Sequence, residues 1–160
     1  MKVEPQKEHE WLQKLVGEWT YESECPTEPG KSPEKFAGSE TVRSLGGLWI
    51  LCEGRGEMPG GEMAAMLMTL GYDLQKKQYL GTWVGSMMTH LWVYAGSLDA
   101  EEKVLTLSTE GPTFTEEGKL AKYKDVIEIK NPNHRILTSH MLGDDGEWHQ
   151  FMTANYRRKT

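Results

Sequence analysis

The sequence predicts a single all-β domain: an antiparallel barrel of about ten short strands with one short helix at its N-terminal end. Three observations predict it. Turn signals recur at short, regular intervals from residue 17 onward, the spacing that all-β barrels and sandwiches require. After Gly17 no stretch sustains the apolar period of a helix. The triplet Gly-x-Trp returns at Gly17-Glu18-Trp19, Gly47-Leu48-Trp49, Gly81-Thr82-Trp83 and Gly146-Glu147-Trp148. Residues two apart in a strand share a face, so each triplet is expected to set an empty glycine position beside a large ring near a turn.

From Gln6 to Val16, the side chains of Trp11, Leu12, Leu15 and Val16 form one helical stripe, and Gly17 is a natural stop. A helix with one apolar face needs a surface to cover, here one end of the barrel. Strands are expected at Trp19–Glu24, Phe36–Leu45, Leu48–Met58, Met63–Tyr72 and Tyr79–Ser86. Five more follow at His90–Leu98, Val104–Thr109, Leu120–Lys130, Arg135–Leu142 and Trp148–Arg157. Prolines, glycines and polar runs separate them: the loop from Pro26 to Pro33, Gly46-Gly47, Pro59-Gly60-Gly61, Asp73 to Lys77, Asp99 to Glu102, Gly111-Pro112 and Asn131-Pro132-Asn133. Gly54 and Gly56 mark a bend where a barrel curls. Leu120–Lys130 alternates most clearly, with Ala121, Tyr123, Asp125, Ile127 and Ile129 on one side.

No linker divides the 160 residues, so residues 1–160 are read as one domain, long enough to bury a sizeable core. A net charge of −6 argues against nucleic acid as a partner, and the short basic run Arg157-Arg158-Lys159 does not outweigh it. No run is long enough to span a bilayer. Met1 to Glu10 lacks the apolar core of a secretion signal, so a cytoplasmic protein with Cys25 and Cys52 reduced is expected.

A helix, then Gly17-Glu18-Trp19 opening the first strand, then an antiparallel run ending in Arg157-Arg158, resembles the lipocalin-like (calycin) barrels. That resemblance implies that Trp19 lies at the closed end of the barrel, with Arg157 or Arg158 stacked across it as a cation–π pair. More closely, the chain is similar to the bacterial family known as domain of unknown function 1579. The matching segments are Glu8-His9-Glu10-Trp11-Leu12, Leu15-Val16-Gly17-Glu18-Trp19, Gly46-Gly47-Leu48-Trp49, Gly56-Glu57-Met58-Pro59-Gly60-Gly61, Thr69-Leu70-Gly71-Tyr72-Asp73, Gly81-Thr82-Trp83 and Leu142-Gly143-Asp144-Asp145-Gly146. The resemblance implies a lipocalin-like fold and no settled activity, substrate or catalytic residue.

Three constellations carry chemistry. Trp83, Met87, Met88, His90, Trp92 and Tyr94, with Met66 and Met68 nearby in sequence, read either as an adaptable apolar ligand pocket or as packed core. On the pocket reading, Trp83, Met88, Trp92, Tyr94 and Tyr123 line it, and Arg135 or His90 orients the ligand. His140 and His149 are weak candidates for a shared metal or haem-like ligand: they face each other if Asp144-Asp145 is the hairpin turn. If Asp145-Gly146 is the turn, His140 faces Phe151. No third ligand stands at metal spacing, so no metal or cofactor is expected. Tyr123 and Asp125 on an inward face, with Arg43, Arg55 and Arg135 on strands, read as a head-group site for a polar ligand or as a structural ion pair at the rim. No motif of a nucleophile elbow, zinc protease, phosphate loop or dinucleotide site is present. Cys52 beside Glu53 is a possible thiol nucleophile without an evident base. The sequence therefore points to a barrel that binds a small apolar molecule, with a packed, homodimeric interaction barrel as the alternative and an enzyme using the same pocket as the third.

Overall fold

A computed structural model describes residues 2–27, 29–58 and 60–160. One helix, α1 (Lys7–Gln13), precedes strands β1 (Gly17–Cys25), β2 (Glu34–Leu45), β3 (Trp49–Glu57), β4 (Met63–Asp73) and β5 (Gln78–Gly85). Then come β6 (Trp92–Leu98), β7 (Val104–Pro112), β8 (Leu120–Asn131), β9 (His134–Leu142) and β10 (Trp148–Arg158). Each strand pairs antiparallel with its sequence neighbours, and β1 closes the barrel on β10 through pairs from Trp19↔Arg158 to Glu24↔Thr153. Closure leaves no sheet edge unpaired. The connections at 46–48, 74–77, 99–103 and 132–133 lie at the helix end, and those at 86–91, 113–119 and 143–147, with the described residues of 26–33 and 58–62, form the mouth. Pro59, part of the expected Pro59-Gly60-Gly61 turn, lies outside the described residues.

The helix is shorter than the apolar stripe suggests. Beyond Gln13 the chain tightens, with Leu15 N–H donating to the Leu12 carbonyl and Val16 N–H to that of Gln13, so the stripe still closes the barrel floor. The Gln6 N–H donates to His9 Nδ1, which leaves the proton on Nε2 to donate to the Tyr72 carbonyl at 3.0 Å. Trp11 Nε1–H donates to the Glu102 carbonyl at 2.7 Å, and the Tyr79 hydroxyl to that of Glu8 at 3.1 Å. Trp11, Leu12 and Leu15 meet Trp19, Val42, Ile50, Leu70, Leu105 and Leu107 in the core at this end.

Gly17 opens β1 at φ +142, and a Cβ there would stand 2.2 Å from Arg158 Nη1. Arg158, and not Arg157, takes the expected place on Trp19: its guanidinium lies 4.3 Å from the ring. Nη1 donates to the Val16 carbonyl at 2.7 Å and Nη2 to that of Lys14 at 3.0 Å, satisfying carbonyls where the helical turn ends. The other triplets work differently from expectation. Gly47 and Gly146 are turn residues with positive φ, and Trp49 lies over Gly71 while Trp83 lies over Gly85. The room for each ring therefore comes from a glycine on the neighbouring strand, or two residues after the tryptophan.

Candidate functional site

Inside the barrel lies a cavity of about 330 Å³, running from Leu15 and Leu70 at the helix end to Met58 and Phe114 at the mouth. Its walls follow from strand parity: Trp83, Trp92, Tyr94, Tyr123 and Arg135 point inward, and Met66 and Met68 join them from β4. Met88 reaches the lining from the 86–91 connection, where its Sδ accepts the Trp92 indole N–H at 3.0 Å. Gly111 lets Trp92 lie flat against β7, since a Cβ there would stand 2.2 Å from the ring. β7 thus continues through Gly111 and Pro112, where the sequence reads the start of a loop. Tyr123 meets Trp92 edge to face at 5.0 Å and 89°, and its hydroxyl donates to the Pro112 carbonyl at 2.6 Å. Phe114 and Phe151 extend this aromatic wall toward the mouth.

Of the residues expected to line a pocket, Met87 and His90 do not: Met87 is exposed at the start of the 86–91 connection. His90 sits in the connection before β6, with Nε2 3.2 Å from the Glu110 carbonyl oxygen and its ring edge-on to Trp92 at 4.8 Å. Among the described residues, two hydrogen-bonded polar clusters line the cavity. In the first, Asp125 accepts the Tyr94 hydroxyl on Oδ2 at 2.5 Å and the Ser139 hydroxyl on Oδ1 at 2.7 Å. Burial raises the Asp125 carboxyl above its ordinary value against the opposing effect of both hydroxyls. Burial, with Asp125 beside it, holds the Tyr94 hydroxyl well above the usual phenol value. In the second, Arg135 is 4% exposed and donates through Nη2 to Glu40 in a close ion pair. Its guanidinium lies 4.0 Å from the Tyr156 ring and 4.8 Å from that of Trp19. Among the described residues, Arg135 Nε and Thr109 Oγ1 are buried polar atoms without a hydrogen-bond partner, and both residues line the cavity.

The arginine–aspartate–tyrosine group expected from the sequence is thus two separate groups. Arg135 turns to Glu40 and Asp125 to Tyr94 and Ser139, while Tyr123 binds a backbone carbonyl. Arg43 is an exposed partner of Glu53 at 2.9 Å, and Arg55 faces solvent. Glu40 and Ser139 went unremarked in the sequence, although parity with Phe36 and Val42, and with Arg135 and Leu137, turns both inward.

The two histidines of the last hairpin do not face each other, and neither register considered for that turn is the one formed. His149 stands opposite Met141 and His140 opposite Gln150, and a bulge at Phe151 then shifts the ladder by one residue. His149 binds the Asp145 carboxylate at 2.9 Å, whereas His140 Nε2 lies 3.0 Å from Thr138 Oγ1. Among the described residues no group of three or more His, Cys, Asp or Glu side chains is placed to hold a metal. Cys25 and Cys52 are both free thiols. Burial pushes the Cys52 thiol far up, the opposite of what a nucleophile needs.

The model of the family described as "Protein of unknown function (DUF1579)" matches residues 4–158. The chain belongs to that family. No curated protein matches the sequence. Among solved structures, Rv2717c from M. tuberculosis is similar at a TM-score of 0.62 and 12% identity, over 98% of this chain and 100% of that one. The S-type phycobiliprotein lyase CPES from Guillardia theta follows at 0.61 and 13%, over 98% and 99%. The protein EF1p2_mFAP2b, bound to DFHBI, is similar at 0.50 and 12%, over 94% and 98%. At such identities the likeness concerns the fold: this DUF1579 chain is a lipocalin-like barrel.

Proposed function

We propose that this protein is a binding barrel that holds a small, mostly apolar molecule against Trp83, Met88, Trp92, Tyr94 and Tyr123. The observation that carries the reading is the cavity. At about 30 Å³ per water, its 330 Å³ corresponds to about eleven waters, the lower range of small-molecule sites. The walls are methionine and aromatic side chains with a few polar groups, a surface suited to an apolar body with one or two fixed polar contacts. A lyase named for phycobiliproteins and a barrel solved with DFHBI share the fold, in keeping with small-molecule binding. A filled interior, the alternative weighed from sequence, would leave no such volume. Self-association has separate support, in the exposed Val84 and Val93 on the outside of β5 and β6 and Leu91 in the connection between them.

Native mass spectrometry of freshly purified protein tests the reading: a mass excess that disappears on denaturation is expected, and the same spectrum reads the oligomeric state. Trp92→Ala is expected to weaken uptake of an uncharged apolar fluorophore at least about tenfold, as loss of a buried aromatic contact implies, while circular dichroism shows the barrel intact. Equal uptake by the variant removes Trp92 from the lining. Absence of uptake by the wild type overturns the binding reading.

A further inference from the structure

This inference rests on the binding reading above and concerns the polar group of the ligand. Among the described residues, the charged side chains lining the cavity are Glu40, Glu57, Asp125 and Arg135. Arg135 is the one cation: Glu40 neutralises it and Tyr156 and Trp19 flank it, although its Nε has no partner. Asp125 has two hydroxyl donors and no counter-ion among the described residues. Its titratable neighbour is His140, which burial and the nearby Lys124 hold below the ordinary imidazole value and whose ring belongs to the opposite face of β9 from Ser139 and lies by Thr138. A carboxylate offers about four acceptor sites, of which Tyr94 and Ser139 occupy one on each oxygen, so acceptor capacity remains on a group that lines the cavity.

We propose that the cavity selects an apolar molecule carrying a protonated amine, whose ammonium donates to Asp125, over a carboxylate or an alcohol of the same size. An ammonium supplies the positive charge that the half-buried Asp125 lacks, making a charge-assisted hydrogen bond inside the barrel. A carboxylate would meet a guanidinium already neutralised by Glu40 and would bring a second negative charge toward Asp125. The mouth has the same bias. Among the described residues its connections carry Glu62, Glu116, Glu117, Asp144, Asp145 and Glu147, against Lys31 and Lys119, and Lys119 is itself paired with Asp144. A rim of that sign draws cations toward the entrance. The raised Asp125 carboxyl agrees with a negative charge left without a partner.

The test uses the full chain loaded with the uncharged probe N-phenylnaphthylamine and displaces it at neutral pH with decylamine, decanol or decanoate, which share one tail length. Decylamine is expected to displace the probe at a concentration about tenfold lower than either competitor, the margin of a charge-assisted over a neutral hydrogen bond. In Asp125→Asn the three are expected to fall together. Decanol or decanoate matching decylamine on the wild type overturns the amine assignment and leaves the binding reading standing. A preference that survives Asp125→Asn places the ammonium elsewhere and likewise overturns it. A wild type that takes up neither probe nor displacer overturns both readings. Should Asp125→Asn fail to fold, decylamine failing to outcompete decanol on the wild type still overturns the proposal.

Discussion

Tyr94 and Ser139 each give Asp125 a hydrogen bond, yet burial still raises its carboxyl above the ordinary value. Two neutral donors return less than the water they replace, because a desolvated charge needs an opposite charge as well as hydrogen bonds. The stability consequence has a definite sign. With its folded value raised, the folded state holds the proton to a higher pH than the unfolded chain does. The stabilisation is therefore fully present below the ordinary value of 3.8 and lost as pH rises through the folded value. Above that folded value the ionised Asp125 burdens the fold. Asp125→Asn is expected to raise the melting temperature at neutral pH, with the gain shrinking as pH falls toward 3.8, measured by calorimetry across that range. An equal or lower melting temperature at neutral pH would contradict the account. Arg135 is the opposite case, a buried charge supplied with Glu40 and two aromatic faces, where losing one partner costs about 3–5 kcal/mol.

Helix α1 is too short to be stable alone, since isolated helices under roughly 12–15 residues are marginal in water, and this one runs Lys7–Gln13. The barrel holds it, through the buried Trp11, Leu12 and Leu15 and the hydrogen bonds to Glu102, Tyr72 and Tyr79. In return it closes one end of the core. Trp11 is 3% exposed, and its indole N–H finds its acceptor on the β6–β7 connection, so it ties helix to barrel by both packing and polarity. Trp11→Ala is expected to lower stability by about 3–5 kcal/mol, read from urea denaturation. A loss under about 1 kcal/mol, the range of a surface substitution, would mean that the helix is not part of the folded unit.

The molecule as a whole is a closed ladder with unequal ends. One end is sealed by α1, Trp19 and Arg158, while the other carries the aromatic wall of Tyr123, Phe114 and Phe151 beside the 113–119 and 143–147 connections. Local opening is easiest where apolar contacts are few and backbone hydrogen bonds meet solvent. Hydrogen exchange monitored by mass spectrometry is expected to be slowest in β3, β4 and the first half of β1, near the core at the helix end. It is expected to be fastest in residues 113–119 and 143–147. Exchange uniform from end to end would show that the sealed end has no separate stability. An amine bound inside is expected to slow exchange in β6, β8 and β9, the strands that carry Tyr94, Asp125 and Ser139.

The order of elements was legible in the sequence because turn chemistry and alternation are local. Glycine, proline or a polar run punctuates most connections, and inward faces such as Tyr123, Asp125 and Ile127 can be read by parity within one strand. Parity also grouped Trp92 with Tyr94 on one face, the face that turns inward, and the family resemblance supplied closure of the sheet. Partnership was not legible, because it crosses the barrel: Glu40 meets Arg135 from a strand far away in sequence, and Ser139 meets Asp125 from the next strand. Nor was the register of the last hairpin, where a bulge at Phe151 carries His140 opposite Gln150. His90 lacked the strand geometry that parity presumes. Alternation along one strand decides which side chains enter a barrel, whereas the volume left between them and the charge left without a partner are sums over all ten strands, and only the closed structure takes those sums.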